Sequence, residues 1–277
     1  MVEATLNYLA PMPERPFFLA YVPAPGEPTR NTRGDRRVVA IADARGLGEA
    51  PSLDREGFTL VRHETAVADP WDPRAVRERY YREMEELVGR HTGAVRVVAF
   101  DHNVRSRTLA ERGERNAQPP VRYAHNDYTE GSAPQRVRDL FPGDEAERLL
   151  ARRFAVINVW KPIRGMVEES PLAVCDARTI ASGDLVQTDL RYTDRLGEIY
   201  SLRFSPAHRW FYYSRMRTDE AMLLKCYDSD ASRARFTAHS AFEDPTSPPD
   251  APARESIEVR TVAFFSQGGL CPPSPRG

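Results

Sequence analysis

Short segments with the residue alternation of a β-strand recur along most of this chain, and turn residues separate them. Two stretches with the longer apolar spacing of a helix, about 73–88 and 132–152, interrupt the series. Many short strands after an N-terminal helix are typical of a β-sandwich or barrel with helices outside it. We predict strands at residues 37–43, 57–63, 95–101, 153–162, 171–175, 185–193, 198–204, 210–216, 221–227, 237–242 and 255–265.

The first helix has a recognisable start and a predicted end. Asp72 suits the N-cap, and Pro73 suits the first helical position. Apolar residues between positions 76 and 87 follow helical spacing, and Gly89 is the predicted terminator. Residues 106–120 are polar, rich in arginine and end in two prolines, so we expect a loop there.

The 277 residues are enough for one large domain with a sizeable core. We expect residues 1–89 to form an N-terminal arm, edge strands and a helix that pack on a catalytic core. The core spans residues 90–267 and includes a helical insert at 132–152. The Gly-, Pro- and Ser-rich residues 268–277 are expected to form a flexible tail. The first two predicted strands are expected to pair as a hairpin.

Composition excludes several classes of partner. A net charge of −1 leaves no basic surplus for binding nucleic acid. No stretch approaches the roughly 20 apolar residues of a membrane span, and the first residues lack the basic and apolar regions of a signal peptide. Three cysteines without a metal-binding or CxxC spacing favour a reducing compartment. We therefore expect a cytoplasmic protein with a small-molecule substrate and no nucleic-acid or membrane partner, and a homodimer stays open.

A His-x-Asp motif, formed by His125 and Asp127, lies where one extended segment ends. Residues i and i+2 of an extended chain point to the same face. An imidazole and a carboxylate on one face are two thirds of a 2-His-1-carboxylate triad, which holds Fe(II) and leaves positions open for O2 and a co-substrate. The motif alone also fits a histidine and an aspartate in a polar loop.

A second group of residues downstream strengthens the metal hypothesis. His239 lies on a predicted strand and can supply the third ligand. The last predicted strand begins near Arg254, and Ser256 follows two residues later. A guanidinium binds a carboxylate bidentately, and a serine on the same strand face adds a hydroxyl. This pair suits the distal carboxylate of a 2-oxo acid whose other end chelates iron.

At these residues the chain resembles the Fe(II)/2-oxoglutarate-dependent oxygenases, and among them the CmcJ/AsaB-like hydroxylase/desaturase family. The resemblance covers roughly residues 90–265. It implies a mainly β fold with flanking helices around a double-stranded β-helix core, the jelly-roll or cupin-like fold. The segments that carry it are residues 123–127, 158–162, 171–176, 208–213, 239–245 and 254–260.

The resemblance also implies a reaction and its cofactors. His125, Asp127 and His239 would bind Fe(II), and Arg254 with Ser256 would anchor 2-oxoglutarate. The expected oxygenase consumes O2, releases succinate and CO2, and acts on a C–H bond of a small natural-product intermediate by hydroxylation, desaturation or oxidative cyclisation. Such enzymes belong to secondary metabolism, including antibiotic biosynthesis.

Four further residues are candidates for the same site. Asn158 and Trp160 share one strand face, and they either contact 2-oxoglutarate or substrate or pack in the core. Arg260 is in phase with the predicted anchor arginine, so it either helps to hold the co-substrate or pairs with a glutamate on the sheet. Tyr123 shares the face of the first histidine and is the candidate substrate-binding residue, against plain core packing.

Two other functions are compatible with the same three ligands. A zinc hydrolase can bind its metal through His125, Asp127 and His239, but it has no use for the arginine and serine on the last strand. A catalytically silent β-barrel binding protein keeps the fold and tolerates the loss of a ligand. The arginine-serine pair favours the oxygenase over both.

Overall fold

The computed structural model describes residues 1–21, 23–24 and 26–266, and the predicted tail at 268–277 lies outside them. Within this part of the chain, fourteen strands form a nine-stranded and a five-stranded sheet, with the helices on the outside. The mainly β architecture with flanking helices is the one that the sequence predicts. Among the described residues, no helix combines the length and the apolar character needed to cross a membrane.

The predicted elements occur in the predicted order, and the N-terminal arm adds two strands that the pattern did not reveal, the first two in the chain. The strands are β1 (Val2–Leu9), β2 (Phe17–Leu19), β3 (Gly34–Asp43), β4 (Phe58–Arg62), β5 (Arg96–Ser106), β6 (His125–Asn126), β7 (Phe154–Pro162), β8 (Leu172–Cys175), β9 (Leu185–Arg191), β10 (Leu196–Leu202), β11 (Trp210–Tyr212), β12 (Glu220–Asp228), β13 (His239–Ala241) and β14 (Glu255–Phe264). The α-helices are α1 (Pro73–Ala75), α2 (Tyr81–Thr92), α3 (Arg107–Glu111), α4 (Ser132–Leu140) and α5 (Gly143–Leu150).

The two sheets divide the chain unevenly. The larger sheet has the order β1-β3-β11-β8-β13-β6-β10-β9-β2, and the smaller sheet has the order β4-β12-β7-β14-β5. Every residue of β7 is buried, because β12 and β14 flank it on both sides. Strand β5 lies at an edge of the smaller sheet, so it is mostly half-buried and not the buried strand that its apolar residues predicted.

The predicted hairpin between segments 37–43 and 57–63 is wrong. β3 pairs along its first eight residues with β1 and also contacts β11, whereas β4 pairs with β12 in the other sheet. Between Ala4 and Tyr8 every second residue of β1 is buried. β1 and β11 occupy the two edges of β3, so neither edge is left for β4. Strand alternation indicates which face is buried and does not identify the partner strand.

The first helix begins with Asp72 as its N-cap, as predicted, but it ends later than predicted. Gly89 continues the helix, which runs to Thr92, and Gly93 ends it in the left-handed conformation with φ 71°. A π-helical turn at Val76–Tyr80 joins α1 to α2. The predicted loop at 106–120 contains the short helix α3.

The two faces of the smaller sheet have different surroundings. Ile257 and Val259 of β14 and Val159 of β7 pack with Leu87 of α2 in one apolar cluster. Residues of the opposite parity point to the other face of the sheet. Three charged residues of this parity line a cavity between the two sheets: Arg254, just before β14, and Glu258 and Arg260 in its first half.

Candidate active site

His125 and His239 face each other across the paired strands β6 and β13. They are register partners, and their ring centroids are 4.5 Å apart. Each ring Nδ1 lies within hydrogen-bond distance of a backbone carbonyl two residues earlier, at 2.7 Å from Tyr123 O and 3.1 Å from Thr237 O. An Nδ1–H that donates to a carbonyl leaves Nε2 as the metal-binding atom, so the backbone orients both imidazoles in the same way.

Asp127 completes a group of three ligands. Its Oδ1 lies 3.4 Å from His125 Nε2 and 4.0 Å from His239 Nε2. The three ligand atoms all lie within 4.8 Å of one another, a spacing that suits a single metal ion. The other carboxylate oxygen, Oδ2, accepts hydrogen bonds from Asn158 Nδ2 at 2.7 Å and from Arg260 Nε at 3.1 Å.

The charges around these ligands favour an ionised carboxylate. Burial opposes the ionisation of Asp127, but Arg260 and the two imidazoles outweigh it and hold the pKa of this carboxyl well below its usual value. Burial and the charge of His125 lower the pKa of His239, which favours the neutral imidazole. For His125, burial is outweighed by Asp127, so the pKa is raised and a metal ion would compete with a proton for this imidazole.

Arg254 lies in the same cavity as the two histidines. Its side chain is buried, its Nη1 donates to the Ser170 carbonyl, and its guanidinium carbon is 5.2 Å from the Trp160 ring centroid. Among the described residues, its Nε has no hydrogen-bond partner and no carboxylate lies within 4.0 Å of the guanidinium. Burial and the neighbouring Arg105 lower its pKa to about 9. A buried cation without a counter-ion is costly, so this group is suited to receive an anion.

The other predicted site residues have different surroundings. Ser256 is buried on the same strand face as Arg254. Trp160 and Arg260 line the cavity, and Asn158 and Arg260 both donate to Asp127 Oδ2. Tyr123 packs against the N-terminal segment, with its ring centroid 5.7 Å from that of Phe18 and 5.7 Å from the Arg30 guanidinium carbon.

Two charged residues of the cavity wall were missed by the sequence analysis, Arg105 and Glu258. Strand parity could have found Glu258, because it is two residues beyond Ser256 on the same face of β14. Arg105 could not be found in this way. It reaches the cavity because β5 pairs with β14 in a register that aligns Arg105 with Ser256.

Comparisons with known proteins agree with this geometry. A family model described as an oxidoreductase/YMDC permease-like domain matches residues 6–264. The chain is 38% identical over 251 residues to the Fe(II)/2-oxoglutarate-dependent dioxygenase nvfI of Aspergillus novofumigatus, covering 87% of this chain and 88% of that one. It is 34% identical over 250 residues to the hydroxylase/desaturase efuI of Hormonema carpetanum, covering 82% and 83%.

A solved structure shares the whole fold. The iron and alpha-ketoglutarate-dependent endoperoxidase NvfI superposes with a TM-score of 0.86 at 34% identity, over 96% of this chain and 98% of that one. The predicted jelly-roll core, the enzyme class and the cofactors Fe(II), 2-oxoglutarate and O2 are thereby confirmed. With its two histidines and one aspartate around a common point, the chain belongs to the Fe(II)/2-oxoglutarate-dependent dioxygenases.

Proposed function

We propose that this enzyme oxidises a C–H bond of a small natural-product intermediate, with O2 consumed and succinate and CO2 released. One observation carries the proposal: His125, His239 and a buried, incompletely paired Arg254 line one cavity. Bound Fe(II) would supply the positions for O2 and the 2-oxo acid and the redox chemistry between them. The residues of the chain bind, orient and shield the reactants.

The metal ligands in this proposal are His125 and His239 through Nε2 and Asp127 through Oδ1. Two neutral imidazoles and one carboxylate are the donor set of non-haem Fe(II) oxygenases with open positions. The backbone contacts of both Nδ1 atoms support this assignment, because they direct each Nε2 toward Asp127. The donor set therefore fits the metal that the family uses.

Arg254 and Ser256 are the proposed anchors of the distal carboxylate of 2-oxoglutarate. The unused N–H groups of Arg254 support this role, and the Trp160 ring beside the guanidinium supports its orientation. Asn158 and Arg260 were predicted to contact 2-oxoglutarate, but both contact the Asp127 carboxylate instead. We propose that both hold Asp127 Oδ2 and so keep Oδ1 directed at the metal.

Relatives are named as hydroxylase/desaturases and an endoperoxidase, which supports oxidation of a natural product without selecting hydroxylation, desaturation or cyclisation. Tyr123 stays a predicted substrate contact.

We also propose one domain in which residues 1–89 pack on the core at 90–267, because β1, β3 and β4 pair with core strands or with each other. The cytoplasmic location, the role in antibiotic biosynthesis and the homodimer stay predictions.

Anaerobic titration of the Fe(II)-loaded protein with 2-oxoglutarate tests the proposal. Chelation of iron by a 2-oxo acid gives a weak visible charge-transfer band in this family. We expect the band in the wild-type protein, its loss in His239→Ala and a weakened response in Arg254→Ala. A folded, iron-loaded wild-type protein without the band would remove 2-oxoglutarate from the proposal and favour the zinc hydrolase or the silent binding protein.

A further inference from the structure

Arg105 lines the same cavity as the two histidines and Arg254, and the proposed function leaves it without a role. It lies near the end of β5, where its register partner on β14 is Ser256. Directly paired residues of neighbouring strands point to the same face of a sheet. The Arg105 side chain therefore leaves the sheet directly beside Ser256, the proposed hydroxyl anchor.

The guanidinium of Arg105 is only partly used by the protein. Its Nη1 donates to Gln118 Oε1 at 3.2 Å and to the Pro119 carbonyl at 3.0 Å. Within the part of the chain that the structure describes, its Nε and Nη2 have no hydrogen-bond partner and no carboxylate lies within 4.0 Å of it. One edge of a planar donor fork is thus fixed by two protein contacts, and the other edge remains able to bind an oxyanion.

Of the three arginines that line the cavity, Arg260 is paired with carboxylates, whereas Arg105 and Arg254 have none within 4.0 Å among the described residues. Arg105, Arg254 and Arg260 line the cavity with one carboxylate, Glu258. That carboxylate is already committed, because Glu258 Oε1 lies 3.1 Å from Arg260 Nη2. After burial, the charge of Arg105 is the largest influence that lowers the pKa of Arg254, which indicates that the two guanidinium groups are close. An anion between them would relieve this repulsion.

We infer that Arg105 is a second guanidinium for the distal carboxylate of 2-oxoglutarate, opposite Arg254 and next to Ser256. The inference rests on the proposed function of Arg254 and Ser256. A carboxylate has about four lone-pair sites, so it can accept from two guanidinium groups and a hydroxyl together. Two cations at one end of the cavity select a 2-oxo acid with a second carboxylate over one with an apolar tail.

The test compares two co-substrates of equal chain length. 2-Oxoglutarate and 2-oxopentanoate share the chelating end, but only the first has the distal carboxylate. Both are titrated anaerobically into Fe(II)-loaded wild type, Arg105→Gln and Arg254→Ala, with the charge-transfer band as readout. Arg96→Ala is the control, because Arg96 lies on the same strand with a half-exposed side chain that pairs with Glu145.

We expect Arg105→Gln to raise the Kd of 2-oxoglutarate by about 10- to 100-fold, the range for a lost charged hydrogen bond. The Kd of 2-oxopentanoate and the affinity for Fe(II) alone should stay unchanged, and Arg96→Ala should match wild type. Equal weakening of both 2-oxo acids, or of neither, would overturn the inference. A wild-type protein without any band would instead contradict the proposed function. If Arg105→Gln does not fold, Arg105→Lys gives the same comparison, because an ammonium cannot replace the planar fork.

Discussion

Arg260 donates from Nε to Oδ2 of Asp127 at 3.1 Å, so only the other carboxylate oxygen, Oδ1, faces the paired histidines. The guanidinium is itself held, because Nη1 lies 2.8 Å from Asp101 Oδ2 and Nη2 lies 3.1 Å from Glu258 Oε1. A carboxylate fixed in this way would hold a metal ion through one oxygen, which would leave more coordination positions for O2 and the co-substrate. The contact therefore links a residue outside the three ligands to the properties of the metal centre.

Replacement of Arg260 separates this role from the one that the sequence predicts. Arg260→Leu should lower the affinity for Fe(II) by about 10- to 100-fold, because partners of metal ligands typically have effects of this size. At saturating iron, the Kd of 2-oxoglutarate should change little. Metal affinity is measured by competition with a chelator, and co-substrate affinity is measured from the charge-transfer band. Unchanged iron binding with a raised Kd for 2-oxoglutarate would return Arg260 to the predicted co-substrate role.

Metal binding should stabilise the fold through the three proposed ligands. A ligand that binds only the folded state at 100 times its Kd adds about 2.7 kcal/mol to the free energy of unfolding. We expect anaerobic Fe(II) to raise the thermal midpoint of wild type and to leave that of His125→Ala unchanged. His91→Ala is the matched control, because His91 is exposed on α2. An equal shift in His125→Ala and wild type would remove His125 from the ligand set.

Gly57 connects the backbone near β4 to the metal site. It has φ 90°, and an added Cβ would lie 2.1 Å from Thr237 Oγ1. Thr237 O is also the carbonyl next to His239 Nδ1. Gly57→Ala should therefore destabilise the protein by about 1–3 kcal/mol and weaken iron binding as well.

Chemical denaturation and chelator competition measure the two effects of Gly57→Ala. Gly48→Ala is the control, because nothing lies within 4 Å of its added Cβ and its φ lies outside the left-handed range. If Gly57→Ala matches Gly48→Ala in stability, the close approach of Gly57 and Thr237 does not constrain the fold.

Lys161 should make stability depend on pH on the alkaline side. Its side chain is buried and donates to the His63 carbonyl, and burial lowers its pKa from 10.5 to about 8. Between these two values the unfolded chain binds a proton that the folded protein does not bind, so the free energy of unfolding contributed by Lys161 rises with pH. Lys161→Met should remove this rise, as measured by denaturation at pH 8 to 10. The same slope in both proteins would contradict the lowered pKa.

Strand parity predicts much of the site, and strand pairing explains what it misses. His125, Asp127 and His239 meet because each lies in or directly after a short extended segment, and the period of two identifies the shared face. The position of Arg105 depends on which residue of β14 lies opposite it. No local pattern encodes that register.

The roles of polar residues were harder to predict than their positions. Asn158 and Arg260 lie at the site as the sequence indicated, yet their partner is the carboxylate of Asp127. A donor that binds an anion looks the same in sequence whether the anion belongs to the protein or to a co-substrate. The late end of α2 is a similar case: Gly89 remains helical, and the helix ends at Gly93, which takes the left-handed conformation.

Strand β14 is hydrogen-bonded to β7 on one side and to β5 on the other along nearly its whole length. Ser256 and Arg260 lie on one face of this strand four residues apart, which corresponds to roughly 13 Å at about 3.3 Å per residue. A strand that is hydrogen-bonded on both edges cannot change its length. The backbone therefore fixes the separation between Ser256, a proposed carboxylate anchor, and Arg260, which holds Asp127. The strand thus sets the length of co-substrate that fits. A 2-oxo diacid one methylene shorter or longer would not reach both the metal and the carboxylate anchor at once.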